Sequence, residues 1–137
     1  PFDAILIDAP CSATGTIRRH PDVAWTKGPE DIRKLTALQA RLLDKAASLL
    51  KSGGRMIYCT CSLEPEEGEL QIRDCLVRNP SLKLVPFEAA KLPFLGPTLA
   101  SAITPEGYLR TLPFMMDDPD PRLAGLDGFF AAQLRKA

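Results

Sequence analysis

Apolar positions first occur as a short unbroken block, Phe2-Asp3-Ala4-Ile5-Leu6-Ile7-Asp8, which predicts a buried parallel strand ending in an acid. Residues 9 to 28 lose all periodicity and are rich in Pro, Ser, Thr, Gly and Arg, the composition of a long loop that carries function. Gly28-Pro29-Glu30-Asp31 then reads as a helix start, with proline in the first turn and acids at the positive end of the dipole. Ile32, Leu35, Leu38, Leu42, Ala46 and Leu49 follow at spacings of three and four, predicting an apolar helix face that runs to a stop at Gly53-Gly54. Arg55 to Thr60 is a second strand, and Pro65-Glu66-Glu67 opens a second helix whose Leu70, Ile72, Cys75 and Leu76 face inward as far as Asn79-Pro80. Leu82 to Val85 predicts a further strand; beyond a proline-rich stretch, Tyr108 to Leu112 and Gly128 to Leu134 predict a terminal antiparallel pair.

Strands alternating with helices imply an α/β fold with right-handed crossovers, in which the first two strands are neighbours or near neighbours. Ligands of such sheets bind beyond the carboxyl ends of the strands. The chain of 137 residues, 45% hydrophobic, has the size of one domain, 1–137. Its 17 basic residues balance 17 acidic ones, so nucleic-acid contact has to be local or supplied by another segment. No apolar run approaches the roughly 18 residues of a membrane span and no signal-like start is present, so the expectation is a soluble cytoplasmic protein without membrane partners.

The cysteines at 11, 59, 61 and 75 fit no zinc framework, and the expectation is that no metal binds. Cys59 lies inside an apolar strand and Cys75 on an apolar helix face, where a thiol serves as a small hydrophobe. Cys11 and Cys61 instead sit in polar turns just past the carboxyl ends of the two predicted strands. Adjacent parallel strands are about 4.8 Å apart, so two such side chains can approach one small reacting group. The dipole of the helix after Cys61 favours its thiolate, while Glu64, Glu66 and Glu67 oppose it.

Asp8-Ala9-Pro10-Cys11-Ser12-Ala13-Thr14-Gly15, followed by Ile17-Arg18-Arg19-His20-Pro21-Asp22 and Trp25, resembles the DAPCSxTG segment of the RNA cytosine-5 methyltransferases of the Sun/Fmu type. Tyr58-Cys59-Thr60-Cys61-Ser62-Leu63 with Pro65-Glu66-Glu67 resembles the second cysteine motif of that family, and Asp127-Gly128-Phe129-Phe130-Ala131 its terminal strand. The Arg-Arg-His-Pro-Asp run points to the bacterial branch that modifies small-subunit ribosomal RNA. The resemblance implies a Rossmann-like S-adenosylmethionine-dependent methyltransferase fold, of which this chain would be the C-terminal part, with the cofactor loop and further RNA-binding segments upstream.

The resemblance also implies a reaction at carbon 5 of a cytosine in RNA, with 16S ribosomal RNA the expected partner and a monomer the expected state of the full-length protein. Carbon 5 is a poor nucleophile until a thiolate adds at carbon 6. By resemblance Cys61 is that nucleophile and Cys11 assists product release; the Pro10-Cys11 pair alone would point to the DNA enzymes, and Thr60-Cys61 decides for the RNA family. Asp8 is the expected active-site acid near S-adenosylmethionine and cytosine nitrogen 3, although an acid there also suits a turn cap. The Pro10 carbonyl is expected beside cofactor and cytosine amino group, and Ser12, Arg18, Arg19 and Lys27 against the RNA. Trp25 can stack on a base or pack, and His20 reads as a loop residue. Two other readings share the fold or the thiols: a non-catalytic RNA-binding or assembly module, and a cysteine hydrolase or thiol-redox protein, which would need a positioned histidine or a CxxC.

Overall fold

The computed structural model describes residues 1–93 and 96–137. In chain order the elements are β1 (Phe2–Asp8), α1 (Val23–Thr26), α2 (Pro29–Leu49), β2 (Leu50–Thr60), α3 (Glu69–Arg78), β3 (Leu82–Leu84), α4 (Gly96–Ala100), β4 (Leu109–Thr111) and β5 (Phe129–Lys136). Short 3₁₀ turns at Thr14–Thr16 and Pro65–Glu67 interrupt the two loops that follow β1 and β2.

The strand order is β1-β2-β5-β3, with β4 also paired to β5. β1 and β2 run parallel, Asp8 opposite Cys59, so the chain leaves both strands at the same edge of the sheet. β5 runs antiparallel between β2 and β3; β4 takes its Phe129–Ala131 stretch and β3 its Leu134–Lys136 stretch. The predicted terminal pair is thus β4 with β5, and the first two strands are neighbours. This mixed sheet with helices packed against it is the Rossmann-like α/β fold class expected from the sequence.

Met56, Tyr58, Phe130, Ala132 and Leu134 project from the sheet onto Leu43 and Ala46 of α2 and Ile72 and Cys75 of α3, all buried. Phe130 is the hub, with Tyr58 edge-on at 6.4 Å and Tyr108 tilted at 5.2 Å between ring centroids. At the start of α2, Pro29 occupies the first turn and the Asp31 carboxylate accepts the Gly28 N–H at 3.0 Å.

Three details differ from the expected pattern, the first being that β1, predicted as a buried strand, lies at the edge of the strand order with only Ile5 and Ile7 half-buried and Leu6 69% exposed. The buried face of α2 is centred on Gln39, Leu43, Ala46 and Ala47 rather than on Leu35, Leu38, Leu42 and Leu49, which are half-buried. Leu42 and Leu49 instead flank an open groove beside β1. The helix also ends at Leu49, before the glycine pair; those glycines serve a bulge, because β1 advances from Phe2 to Ala4 while β2 advances from Leu50 to Arg55. Gly53 carries φ of +79° there, a conformation that suits glycine.

Candidate functional site

Because β1 and β2 are adjacent and parallel, the Pro10-Cys11-Ser12 turn and the Cys61-Ser62 turn emerge side by side. The Cys11 and Cys61 sulfurs are 3.5 Å apart, both half-buried and both free thiols. A disulfide needs about 2.05 Å, so the pair is in contact but unbonded. Cys59 and Cys75, by contrast, are buried.

The two turns are stitched together by backbone as well as side chains. Gly15 N–H donates to the Cys61 carbonyl at 3.0 Å, and Gly128 N–H, at the entry to β5, donates to the Gly15 carbonyl at 2.8 Å. A Cβ on Gly15 would lie 2.1 Å from the Gly128 oxygen and 2.8 Å from the Cys61 oxygen, so the motif glycine is required by close approach of three backbone segments. The Thr14 hydroxyl accepts the Leu63 N–H at 2.9 Å.

Beneath the sulfurs is a buried polar network centred on Glu67, which is 0% exposed. Its carboxylate accepts from the Ser12 N–H at 3.0 Å, the Ser12 hydroxyl at 2.5 Å, the Ser62 hydroxyl at 2.6 Å and the Gln39 amide at 3.1 Å. Gln39 also donates to the Pro10 carbonyl at 2.9 Å, and Gln71 donates to Gln39 at 3.3 Å. The Glu67 carbonyl accepts the Tyr58 hydroxyl at 2.9 Å. From the other side Arg110 of β4, buried over the Phe130 ring at 5.0 Å, donates to the Ser62 carbonyl and forks onto Glu69 at 2.9 and 2.6 Å.

Burial pushes the Cys11 thiol from 9.0 up to about 12, with smaller upward contributions from Cys61 and Glu67 against a lowering hydrogen bond from the Ala13 backbone. Near neutral pH Cys11 therefore keeps its proton and can offer an S–H to the Cys61 sulfur. Burial likewise raises Cys59, to about 11, helped by Asp8.

Asp8 is exposed at the end of β1 with its carboxylate 3.8 Å from the Cys59 sulfur. Pro10 is exposed, but its carbonyl already accepts the Gln39 amide, which leaves one lone pair for any ligand. Ser12, expected against the RNA, is 0% exposed, and its N–H and hydroxyl both donate to Glu67. Arg18 and Arg19 are exposed but converge on Asp127, Arg18 at 3.5 Å and Arg19 through a forked pair with Nε 2.9 Å from Oδ2, so the local positive charge is partly offset. Asp127 is held below the usual carboxylate range by Arg19. Lys27 is exposed on the segment between α1 and α2, and Trp25 of α1 is 90% exposed rather than packed.

No helix dipole acts on Cys61 as expected, because Pro65–Glu67 forms a 3₁₀ turn and α3 starts only at Glu69, beyond the short reach of a helix end. Gln39, Glu67 and Arg110 were missed as parts of the site. The available signal was a glutamine inside the apolar stripe of α2 and an acid six positions past Cys61. Among the described residues no group of three or more His, Cys, Asp or Glu side chains converges as a metal site, and no helix is long and apolar enough to cross a membrane.

The family model described as 16S rRNA methyltransferase RsmB/F matches residues 1–135. Ribosomal RNA small subunit methyltransferase B of Pasteurella multocida is 43% identical over 135 residues, covering 98% of this chain and 26% of that protein. The protein of the same name from Vibrio cholerae serotype O1 is 49% identical over 90 residues, 66% of this chain and 21% of its own length. The chain thus spans about a quarter or less of these curated relatives. Among solved structures, NSun6 from Pyrococcus horikoshii with SFG superposes with a TM-score of 0.68 at 26% identity, covering 96% of this chain and 29% of that one.

Proposed function

The chain belongs to the 16S rRNA methyltransferase RsmB/F family, and from that premise we propose that it carries the two-cysteine half of an active site methylating carbon 5 of a cytosine in 16S ribosomal RNA, through a covalent cysteine–cytosine intermediate. The observation that carries this reading is the pair of free, half-exposed thiols 3.5 Å apart at the carboxyl ends of neighbouring parallel strands. A cysteine hydrolase would need a histidine base on one thiol, whereas the lone His20 meets Arg19 at 3.4 Å instead.

The Cys61 thiolate adds to carbon 6 of the base, forming a C–S bond and moving the ring π pair toward carbon 5. Asp8, exposed beside this edge, hydrogen-bonds nitrogen 3 through a carboxyl proton and so offsets the negative charge that develops on the ring as the thiolate adds. S-adenosylmethionine, when bound, supplies an electrophilic methyl group to carbon 5; the relative solved with SFG, an analogue of that cofactor, supports its use. Asp8 and Pro10 fit such a ligand in being exposed polar groups at the carboxyl edge, and they would contribute one side of its site. Carbon 5 then loses its proton to water, the ring double bond re-forms, and the C–S bond breaks with its electron pair returning to sulfur. Cys11, which keeps its proton at neutral pH, donates to the departing Cys61 sulfur. A paired base is out of reach of both thiols, so the target is an unstacked or flipped nucleotide.

Trapping by RNA that carries 5-fluorocytosine tests the scheme, since fluorine at carbon 5 blocks the final elimination. The full-length protein is expected to form a covalent adduct that disappears in Cys61→Ala. Cys11→Ala is expected to accumulate adduct even with ordinary cytosine. Absence of any adduct in the full-length wild type overturns the covalent mechanism.

A further inference from the structure

Glu67 is an ionisable group, fully buried and below both sulfurs. Burying a carboxylate is costly, and a role in packing alone is better served by an apolar side chain. The groups around this one are all donors: the Ser12 N–H, the Ser12 and Ser62 hydroxyls and the Gln39 amide. Such a set matches the acceptor oxygens of a carboxylate. Its partners are placed with equal regularity, because Ser12 follows Cys11 and Ser62 follows Cys61. Through Gln39, which also binds the Pro10 carbonyl, the same network reaches the residue before Cys11.

We propose that Glu67 is the positioning residue of the two-thiol site: one buried carboxylate grips the residue after each cysteine and thereby sets the separation and orientation of the Cys11 and Cys61 sulfurs. The inference rests on the two-thiol reading above and adds the device that assembles the pair. Without the carboxylate, Ser12 and Ser62 keep only their 3.4 Å hydroxyl contact with each other, the Ser12 N–H loses its acceptor, and the turns are left joined by the Gly15–Cys61 and Leu63–Thr14 bonds farther along the chain. Its negative charge is also one of the influences that keep the proton on Cys11. A residue that merely filled space would affect neither sulfur geometry nor thiol protonation.

The test compares the full-length wild type with Glu67→Gln and Glu67→Ala. Three quantities are measured on folded protein: kcat and KM for RNA, the rate of Cys11–Cys61 disulfide closure under a mild thiol oxidant, and the pH midpoint of Cys11 alkylation. In Glu67→Gln the amide oxygen can keep the Ser12 N–H and Gln39, and the two serine hydroxyls can rotate to accept from the amide nitrogen, so the variant is expected to fold. Its kcat is expected to fall about tenfold with KM unchanged, and its Cys11 midpoint to move to lower pH. Glu67→Ala, which removes the carboxylate's grip on both Ser12 and Ser62, is expected to lose about 100-fold in kcat and to close the disulfide more slowly, as follows from a displacement of about 1 Å.

Activity within about twofold of wild type in both variants overturns the proposal, as does an activity loss that tracks the folded fraction while closure rate and Cys11 midpoint stay fixed. If Glu67→Ala does not fold, Glu67→Gln decides by the same criteria. The two readings separate in the wild type: failure to trap 5-fluorocytosine RNA sinks the covalent mechanism, whereas closure rate and alkylation midpoint still judge the placement of the sulfurs by Glu67.

Discussion

Gly15→Ala is the smallest change that should disturb the site, and its sign runs against simple propensity. Gly15 has ordinary negative-φ backbone, so adding a methyl group in open space would stabilise by about 0.4–1 kcal/mol through the unfolded chain. Here the added Cβ meets the Gly128 oxygen at 2.1 Å, the Gly128 carbon at 2.7 Å and the Cys61 oxygen at 2.8 Å. All three are backbone atoms that cannot rotate away. Relief therefore requires a shift of about 1 Å, which breaks or strains the Gly15–Cys61 and Gly128–Gly15 hydrogen bonds, each worth about 1 kcal/mol net, and adds overpacking strain of about 1–3 kcal/mol. After the propensity gain the net loss is about 2–4 kcal/mol. With about 2.1 cal/mol/K of unfolding entropy per residue over 137 residues, each kcal/mol corresponds to about 3.5 °C, so the midpoint should fall by about 7–14 °C. Urea and thermal unfolding followed by circular dichroism measure it. Gly128→Ala is the comparison: its Cβ meets the Leu63 side chain at 2.3 and 2.9 Å and the Gly15 Cα at 3.0 Å, a looser backbone contact than any of the three at Gly15, so its loss should be the smaller. A Gly15→Ala protein as stable as wild type, or more so, would refute the three-segment packing and with it the reason for a glycine in the motif.

Alkaline pH offers a second check. The folded Cys11 thiol sits at about 12 against an ordinary 9.0, so above pH 9 the unfolded chain ionises while the folded one does not. Stability should therefore fall as pH rises from about 9 toward 12, and the urea midpoint of Cys11→Ala should fall less steeply over that window; identical slopes would show that Cys11 is not buried as described. The Arg18, Arg19 and Asp127 cluster offers a third. Asp127→Asn removes the negative charge that offsets both guanidiniums, so RNA binding should tighten several-fold and its salt dependence should steepen. Weaker binding in that variant would remove the arginines from the RNA surface.

Much of the fold was legible because it is written locally. The apolar block of β1, the Gly28-Pro29 start of α2 and the terminal strand pair each depend on periodicity or on Gly and Pro punctuation. The insertion of β5 between β2 and β3 was not legible, since it pairs Phe130 with Thr60 across seventy positions of chain that no local pattern links. The rotation of the α2 face has a more specific cause. Gln39 falls on the apolar face by its spacing from Leu35 and Leu42 but is assigned to solvent by its polarity, yet its amide is buried because Pro10 and Glu67 accept its hydrogens. A fully paired polar side chain is compatible with the core, and pattern reading lacks the partner.

The same blindness explains why the site was read as two cysteines when it is a layered assembly. Cys11 and Cys61 stood out because each breaks a strand at a polar turn, and strand adjacency then brings them together. Glu67 looked like one of several acids at a helix start, whose charge would act on Cys61 from solvent. In the folded chain it faces the other way, beneath the thiols, because a 3₁₀ turn rather than an α-helix carries it and Ser12, Ser62 and Gln39 supply donors from three separate segments. Ser12 follows the converse logic. Its place in a motif beside a reactive cysteine suggested contact with substrate, yet its hydroxyl and N–H are both committed inward. Within one turn, then, neighbouring residues face opposite ways, with Cys11 half-exposed beside the Cys61 sulfur and Ser12 buried against Glu67. That division depends on alternation of direction at a strand exit, which composition does not encode and which only the partner segments make visible.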